Sequence, residues 1–125
     1  MNKKEVLIVD DDIDLGESVA ELLESEGYGV TFISDPFKAL EAASARKYDF
    51  MIIDFKMPGM DGLELTKNIV SKKIKTKILV ISGKPFVKKL FTESGMDSAV
   101  TEFISKPFKC EHLIEVLERL SAQDN

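Results

Sequence analysis

The sequence predicts a single α/β domain: a doubly wound parallel sheet of five strands in the order 2-1-3-4-5, flanked by five helices. Three observations carry that prediction. Five short runs rich in β-branched and other apolar residues lack polar alternation, which is how strands buried on both faces of a parallel sheet read. A stretch with apolar residues at helical spacing follows each of them. The connections are short, and alternation with short connections demands right-handed crossovers between parallel strands, covering both faces of the sheet.

The first strand is Glu5-Val6-Leu7-Ile8-Val9, and it ends on Asp10-Asp11-Asp12. A helix follows from about Asp14 to Glu26, with Leu15, Val19, Leu22 and Leu23 as its stripe, Asp12 as N-cap and Gly27 as the C′ residue that closes it. Tyr28 to Ile33 is the second strand. Ser34-Asp35-Pro36 supplies a cap and a proline for the first helical position. The second helix is expected to turn Phe37, Leu40, Ala43 and Ala45 or its neighbour toward the core. Tyr48 to Ile53 is the third strand, with Asp54 at its end. Asp61-Gly62 opens the third helix, whose apolar set is Leu63, Leu65, Ile69 and Val70.

Lys75-Thr76-Lys77 leads into the fourth strand, Ile78 to Ile81. A fourth helix from Pro85 to about Ser94 carries Phe86, Val87, Leu90 and Phe91. The fifth strand runs from Val100 to Ile104. The last helix, Phe108 to Leu120, shows Leu113, Val116, Leu117 and Leu120. The domain is expected to span 1–125, its core about 4–120, with a polar tail from Ser121 to Asn125. No repeat, low-complexity stretch or linker interrupts it, and the mixed signals of Thr92 to Ala99 make that region the softest. This strand order is the flavodoxin-like one, which places its ligand crevice at the carboxyl ends of the strands.

Composition narrows the function. At 44% hydrophobic and 31% charged, the chain falls outside the disordered and fibrous classes. A formal charge of −5 argues against non-specific nucleic-acid binding. One cysteine, Cys110, excludes an intramolecular disulfide and suits a reducing compartment; it reads as a helix-packing thiol rather than a nucleophile. No apolar run approaches the roughly 18 to 20 residues needed to span a bilayer. Met1-Asn2-Lys3-Lys4-Glu5 does not read as a signal peptide, so a cytoplasmic location and no membrane association are expected.

The chemistry gathers at the strand ends. Asp10, Asp11 and Asp54 should converge at one edge of the sheet, and three carboxylates cannot all stay ionised there without a counter-charge. Raised pKa values, a hard divalent cation such as Mg²⁺, or a cationic side chain would each answer the problem. The lack of a Cys/His ligand set argues against zinc. Asp12 and Asp61 read as helix caps. Lys106-Pro107 at the fifth strand end brings a cation, and its X-Pro bond invites the cis form. Ser82-Gly83 at the fourth brings a hydroxyl on an open turn.

These residues resemble a response-regulator receiver domain of two-component signalling, and the resemblance runs from about Lys4 to Leu120. Leu7-Ile8-Val9-Asp10-Asp11-Asp12 matches the family's acidic pair, and Asp54 with Met57-Pro58-Gly59-Met60-Asp61-Gly62 matches the phosphoacceptor and its loop. Val80-Ile81-Ser82-Gly83 matches the Ser/Thr strand end, and Phe103-Ile104-Ser105-Lys106-Pro107-Phe108 the Lys-Pro segment. The resemblance implies that Asp54 accepts a phosphoryl group from the phosphohistidine of a sensor histidine kinase or phosphotransfer protein. It implies Mg²⁺, with Mn²⁺ as a substitute, on Asp11, Asp54 and the main-chain carbonyl of Lys56, with Asp10 acting through water. Ser82 and Lys106 would contact phosphoryl oxygens. Ser82 and Phe103 would form the switch, changing the face of helix four, strand five and helix five, where family members often pair as homodimers. Phe103 as an ordinary core residue is the competing reading.

The sequence also departs from the family pattern. Gly83 and then Lys84 follow Ser82 where the family typically has Ala next. Lys56 and Lys84 can lean over the pocket, and one of them is expected to pair with the acidic cluster when metal is absent. The segment between Ser82 and Lys106 is about two residues longer than usual, with the excess assigned to Ser94 to Ala99. Two other functions compete. A Mg²⁺-dependent phosphohydrolase would want a second Asp where Lys56 stands, and a cap domain. A flavin-binding protein would want a phosphate-cradling loop where Asp10-Asp11-Asp12 would repel phosphate. Output protein or domain, cognate kinase and input signal are not written in the sequence. The polar tail and the lack of a DNA-binding helix pair suit a stand-alone receiver or relay intermediate, or else the boundary of a receiver cut from a longer protein; the sequence does not tell a stand-alone protein from a fragment of a longer regulator.

Overall fold

The computed structural model describes residues 3–123. The expectations for Met1 and Asn2, and for the end of the polar tail, lie outside those residues. Five parallel strands form one sheet in the order β2-β1-β3-β4-β5. They are β1 (Glu5–Val9), β2 (Gly29–Ile33), β3 (Phe50–Asp54), β4 (Lys77–Ser82) and β5 (Val100–Ser105). The helices are α1 (Ile13–Ser25), α2 (Pro36–Ala45), α3 (Gly62–Ser71), α4 (Val87–Glu93) and α5 (Cys110–Ala122). This is the doubly wound architecture that the alternating pattern predicts.

Strand alternation divides the core in two. Leu7, Val9, Met51, Ile53, Ile78 and Val80 face a layer made by α2, α3 and α4. Val6, Ile8, Phe50, Ile52, Leu79 and Ile81 face α1 and α5. Central strands buried on both faces need apolar residues at every position, which is why β1 and β3 show no polar alternation.

The helix starts follow the local chemistry. Asp12 Oδ1 accepts the Leu15 N–H at 3.1 Å, and Asp61 Oδ1 accepts the Glu64 N–H at 2.9 Å. Asp35 Oδ1 accepts the Phe37 N–H at 2.8 Å ahead of Pro36 in the first turn. Gly27, with φ of 96°, takes the left-handed conformation after α1.

Several apolar residues are not where their size would put them. α2 buries Pro36, Ala39 and Ala43, a face of small residues that lets the helix approach closely, while Phe37 is 54% exposed. Its ring rests against the loop at Gly59, where an added Cβ would come within 3.1 Å of Phe37 Cε2. Ala45, the other expected core residue of α2, is exposed. Val70 lies one step around α3 from the buried Leu65, Thr66 and Ile69, and is exposed. Phe86 precedes α4 as its N-cap rather than joining its buried face, which is Val87 and Phe91. Cys110 is exposed at the start of α5, not a packing thiol. α5 continues through Ala122, so Ser121 and Ala122 belong to the helix rather than to the tail.

The region before β5 forms a 3₁₀ turn at Asp97–Ala99. A bulge follows. Ile78 pairs with Val100 but Leu79 with Glu102, so Thr101 is an extra residue on β5. Val100 and Phe103, three positions apart, therefore both pack on the α4 side, while Ile104 packs on the α5 side. Phe103 is half-buried, its ring edge-on to Phe91 at 5.3 Å.

Candidate functional site

Strands β1, β3, β4 and β5 all end at one edge of the sheet, and their last residues, with the loops that follow, form a cleft of about 640 Å³. Asp10, Asp11, Asp54, Lys56, Ser82, Gly83, Lys84 and Lys106 all line it. Asp10 and Asp54 are buried and Asp11 is exposed. The three carboxylates each offer an oxygen, and these atoms lie within 4.8 Å of one another. Phe103 does not line the cleft; it sits on β5 toward α4.

Lys106 Nζ lies 2.9 Å from Asp54 Oδ1. The backbone is anchored there by the Lys106 N–H, which donates to the Ser82 carbonyl at 2.9 Å; the Lys106–Pro107 bond that follows is cis. The sequence pattern points to Lys56 or Lys84 for the metal-free pairing. Both are exposed at the rim, and the ion pair described here is made by Lys106, which the β5 end aims inward.

The electrostatics follow from burial. Desolvation pushes Asp10 up to about 6, reinforced by the charges of Asp54 and Asp11 and opposed by the Asp12 N–H, which donates to Asp10 Oδ1 at 2.9 Å. Burial also raises Asp54, although the Lys106 hydrogen bond and charge pull the other way. Burial lowers Lys106, but the bond to Asp54 and the charges of Asp54, Asp10 and Asp12 outweigh it, leaving its ammonium above the ordinary lysine range. Lys106 thus stays charged, and the cluster around it remains short of positive charge.

Ser82 Oγ accepts the Lys84 N–H at 2.9 Å and keeps its own proton to donate. A Cβ on Gly83 would meet only Lys106 Cβ, at 3.7 Å, so the open turn does not need glycine for space. Gly62 is different. Its Cβ would come within 2.9 Å of Phe55 Cα, because the loop after Asp54 folds back on the start of α3 and the Gly62 N–H donates to the Phe55 carbonyl at 2.7 Å.

A model of the response regulator receiver domain matches residues 6–118. The chain belongs to the response regulator receiver domain family. Receiver domains as a family are phosphorylated on aspartate and use Mg²⁺. This one is similar to the transcriptional regulatory protein FixJ of Bradyrhizobium diazoefficiens, with 30% identity over 93% of this chain and 56% of that protein. The chain spans about half the length of the curated relatives it matches. Among solved structures, the receiver domain of Francisella response regulator 1452 superposes with a TM-score of 0.87 at 26% identity, over 98% of this chain and all of that one. The response regulator TrrA of Thermotoga maritima, solved in complex with Mg²⁺ and BeF, superposes with a TM-score of 0.80 at 30% identity, over 94% of this chain and 98% of that one. The receiver fold puts this chain among phospho-accepting switches, and the phosphohydrolase alternative is not favoured. Among the described residues, no helix is long and apolar enough to cross a membrane.

Proposed function

We propose that this chain, 1–125, is a single receiver domain whose phosphoacceptor is Asp54, charged by a phosphohistidine on a sensor histidine kinase or phosphotransfer protein. The observation that carries the reading is the grouping of Asp10, Asp11 and Asp54 within 4.8 Å around a carboxylate that Lys106 holds by one oxygen. In the metal-free protein Lys106 holds Asp54 Oδ1, which is left to the cation once Lys106 turns to the phosphoryl oxygens, and Oδ2 is the nucleophile. It attacks phosphorus in line, the P–N bond to imidazole breaks, and Asp54 becomes an acyl phosphate.

The donor set suits a hard divalent ion. All three side chains offer oxygen, and burial, which raises Asp10 and Asp54, disfavours their charged forms until a cation joins them. Asp11, Asp54 and the Lys56 main-chain carbonyl would hold Mg²⁺, or Mn²⁺ in its place, with Asp10 acting through water. When bound, the ion neutralises charge on the phosphoryl oxygens. Lys106 and Ser82 take those same oxygens from the other side, Ser82 by donating the proton it keeps. The domain's chemistry is confined to its own aspartyl phosphorylation and dephosphorylation; it turns over no other substrate.

The switch follows from where Ser82 goes. Drawn toward the phosphoryl group, it vacates space beside β5, Phe103 turns inward, and the α4–β5–α5 face changes shape. That face is where a second copy or an output protein or domain would read the state. Moving such an equilibrium from mostly off to mostly on takes about 5.5 kcal/mol. A few charge-assisted hydrogen bonds at about 1.5 to 3 kcal/mol each supply it. The site of action is cytoplasmic on this reading, in keeping with the lack of a membrane-crossing helix among the described residues, and direct nucleic-acid contact is not part of it.

Incubation with Mg²⁺ and acetyl phosphate, followed by intact-mass measurement, tests the reading. The wild type should gain one base-labile phosphoryl group and Asp54→Asn none. Equal adducts in both, or none in the wild type, would overturn it.

A further inference from the structure

The basic residues of this acidic chain are gathered at one end. Eight of its 17 Lys and Arg stand in three short segments, 3–4, 46–47 and 72–77. The topology brings these together where β1, β3 and β4 begin, at the edge opposite the carboxylate cleft. The acids among them are Glu5, which meets a cation, and Asp49, which meets a backbone N–H. Glu5 Oε1 pairs with Arg46 at 2.9 Å, and Asp49 Oδ2 accepts the Glu5 N–H at 2.8 Å.

This end is concave. A cleft of about 510 Å³ opens between the α2–β3 and α3–β4 connections, lined by Lys4, Lys47, Lys75 and Lys77 with Asp49 and Thr76; the Lys77 ammonium is already bonded to the Leu120 carbonyl at 3.0 Å, so Lys47 and Lys75 are the cations the cleft offers. Lys47 and Lys75 are exposed and come from different connections, so their charges converge on the cleft instead of running along one helix. Thr76 lines the cleft beside them, its hydroxyl buried and without a hydrogen-bond partner among the described residues. The lysine-rich turn is anchored. The Ile74 N–H donates to the Ile69 carbonyl at 3.1 Å, Lys73 adopts φ of 58°, and Ile74 packs on the core.

A concave set of cations held on anchored turns matches a compact, multiply charged anion. A nucleic-acid duplex would need a broad positive face, and the rest of this chain, which holds most of its 22 acids, would repel it. We propose that this cleft binds a chain of linked phosphates, either the triphosphate of a nucleotide or a short inorganic polyphosphate. The site is separate from Asp54 and does not depend on the role of that residue.

Amide NMR titration with inorganic tripolyphosphate, in EDTA and at about physiological ionic strength, tests the proposal. Shifts should concentrate in 46–49 and 73–77. The double variant Lys47→Glu/Lys75→Glu should bind at least about tenfold more weakly, since removing one charge-assisted hydrogen bond costs a factor of that order. Lys47→Arg/Lys75→Arg should retain binding. A parallel arm with ATP separates the sources: equal affinity assigns recognition to the phosphate chain alone, and tighter binding adds the nucleoside. Shifts confined to 10–12, 54 and 82–84, unchanged affinity in the charge-reversed variant, or tighter binding of hexaglutamate or a DNA duplex would overturn the proposal. Acetyl phosphate labelling of Asp54 in the same double variant should match wild type, so the two sites fail or stand independently.

Discussion

Lys106 Nζ, 2.9 Å from Asp54 Oδ1, is the cation that answers a cluster of three carboxylates. Replacing it should leave Asp54 buried among like charges. In Lys106→Met, Asp54 and Asp10 are expected to protonate at higher pH than in wild type, read by carboxylate ¹³C NMR. Labelling by acetyl phosphate should slow by about 10²-fold, the usual cost of losing one charge-stabilising donor. Unmoved titrations would mean the ion pair does not govern the cluster.

Asp10 gives the metal-free protein an acid-side stability gain. Its folded pKa, near 6, lies above the ordinary carboxylate value of 3.8, so between those values the folded state holds more protons than the unfolded one. The contribution of this group is therefore fully present below about pH 4 and is lost as pH rises through 6. Urea denaturation in EDTA, comparing wild type with Asp10→Asn, should show the variant gaining on wild type between pH 4 and pH 7. A difference that stays flat with pH would contradict the assignment. Because protons compete with cations for these oxygens, Mg²⁺ should also stabilise wild type more at pH 7.5 than at pH 5.

Two glycines near the cleft should behave oppositely. Gly62→Ala places a methyl group 2.9 Å from backbone and is expected to cost about 1 to 3 kcal/mol. Gly83→Ala meets an ordinary contact at 3.7 Å and should leave stability within about 0.5 kcal/mol of wild type. Paired urea curves give both numbers.

Lys73 occupies a left-handed conformation at the end of α3 that glycine takes without strain. Lys73→Gly should stabilise the fold by about 0.5 to 1 kcal/mol, part of the relief being offset by the freer unfolded chain. Thermal melts that fall instead of rising would show that the lysine side chain contributes more than its backbone costs.

Lys56 and Lys84 line the cleft and are exposed. Under the proposed reading, each would hinder water reaching an acyl phosphate on Asp54. Dephosphorylation of the labelled protein should quicken in Lys56→Ala or Lys84→Ala; equal decay rates in all three proteins would remove both residues from any timing role.

Much of this molecule is legible in its chain because parallel strands and capped helices have local signatures. Asp12, Asp35 and Asp61 are caps in sequence and in space, and the two-sided burial of β1 and β3 is visible in runs of Val and Ile. The misreadings share a cause. Size alone assigns Phe37, Val70 and Phe86 to the core, yet helix phase and close packing of Ala39 and Ala43 decide which face is buried. Lys106 is legible as the cation of the cluster from its place at the end of β5, whereas the position of Lys56 and Lys84 at the rim depends on where their loops run, which only the fold shows. A net charge of −5 hides the basic end, since a total says nothing of distribution.

The bulge at Thr101 sets the phase of everything after it on β5. One residue there decides whether the aromatic at position 103 looks toward α4 or toward α5. A single-codon deletion or insertion there would shift Phe103 and Lys106 together, since both follow the bulge on one strand, so the length of this segment ties the aim of the aromatic to the ion pair at Asp54.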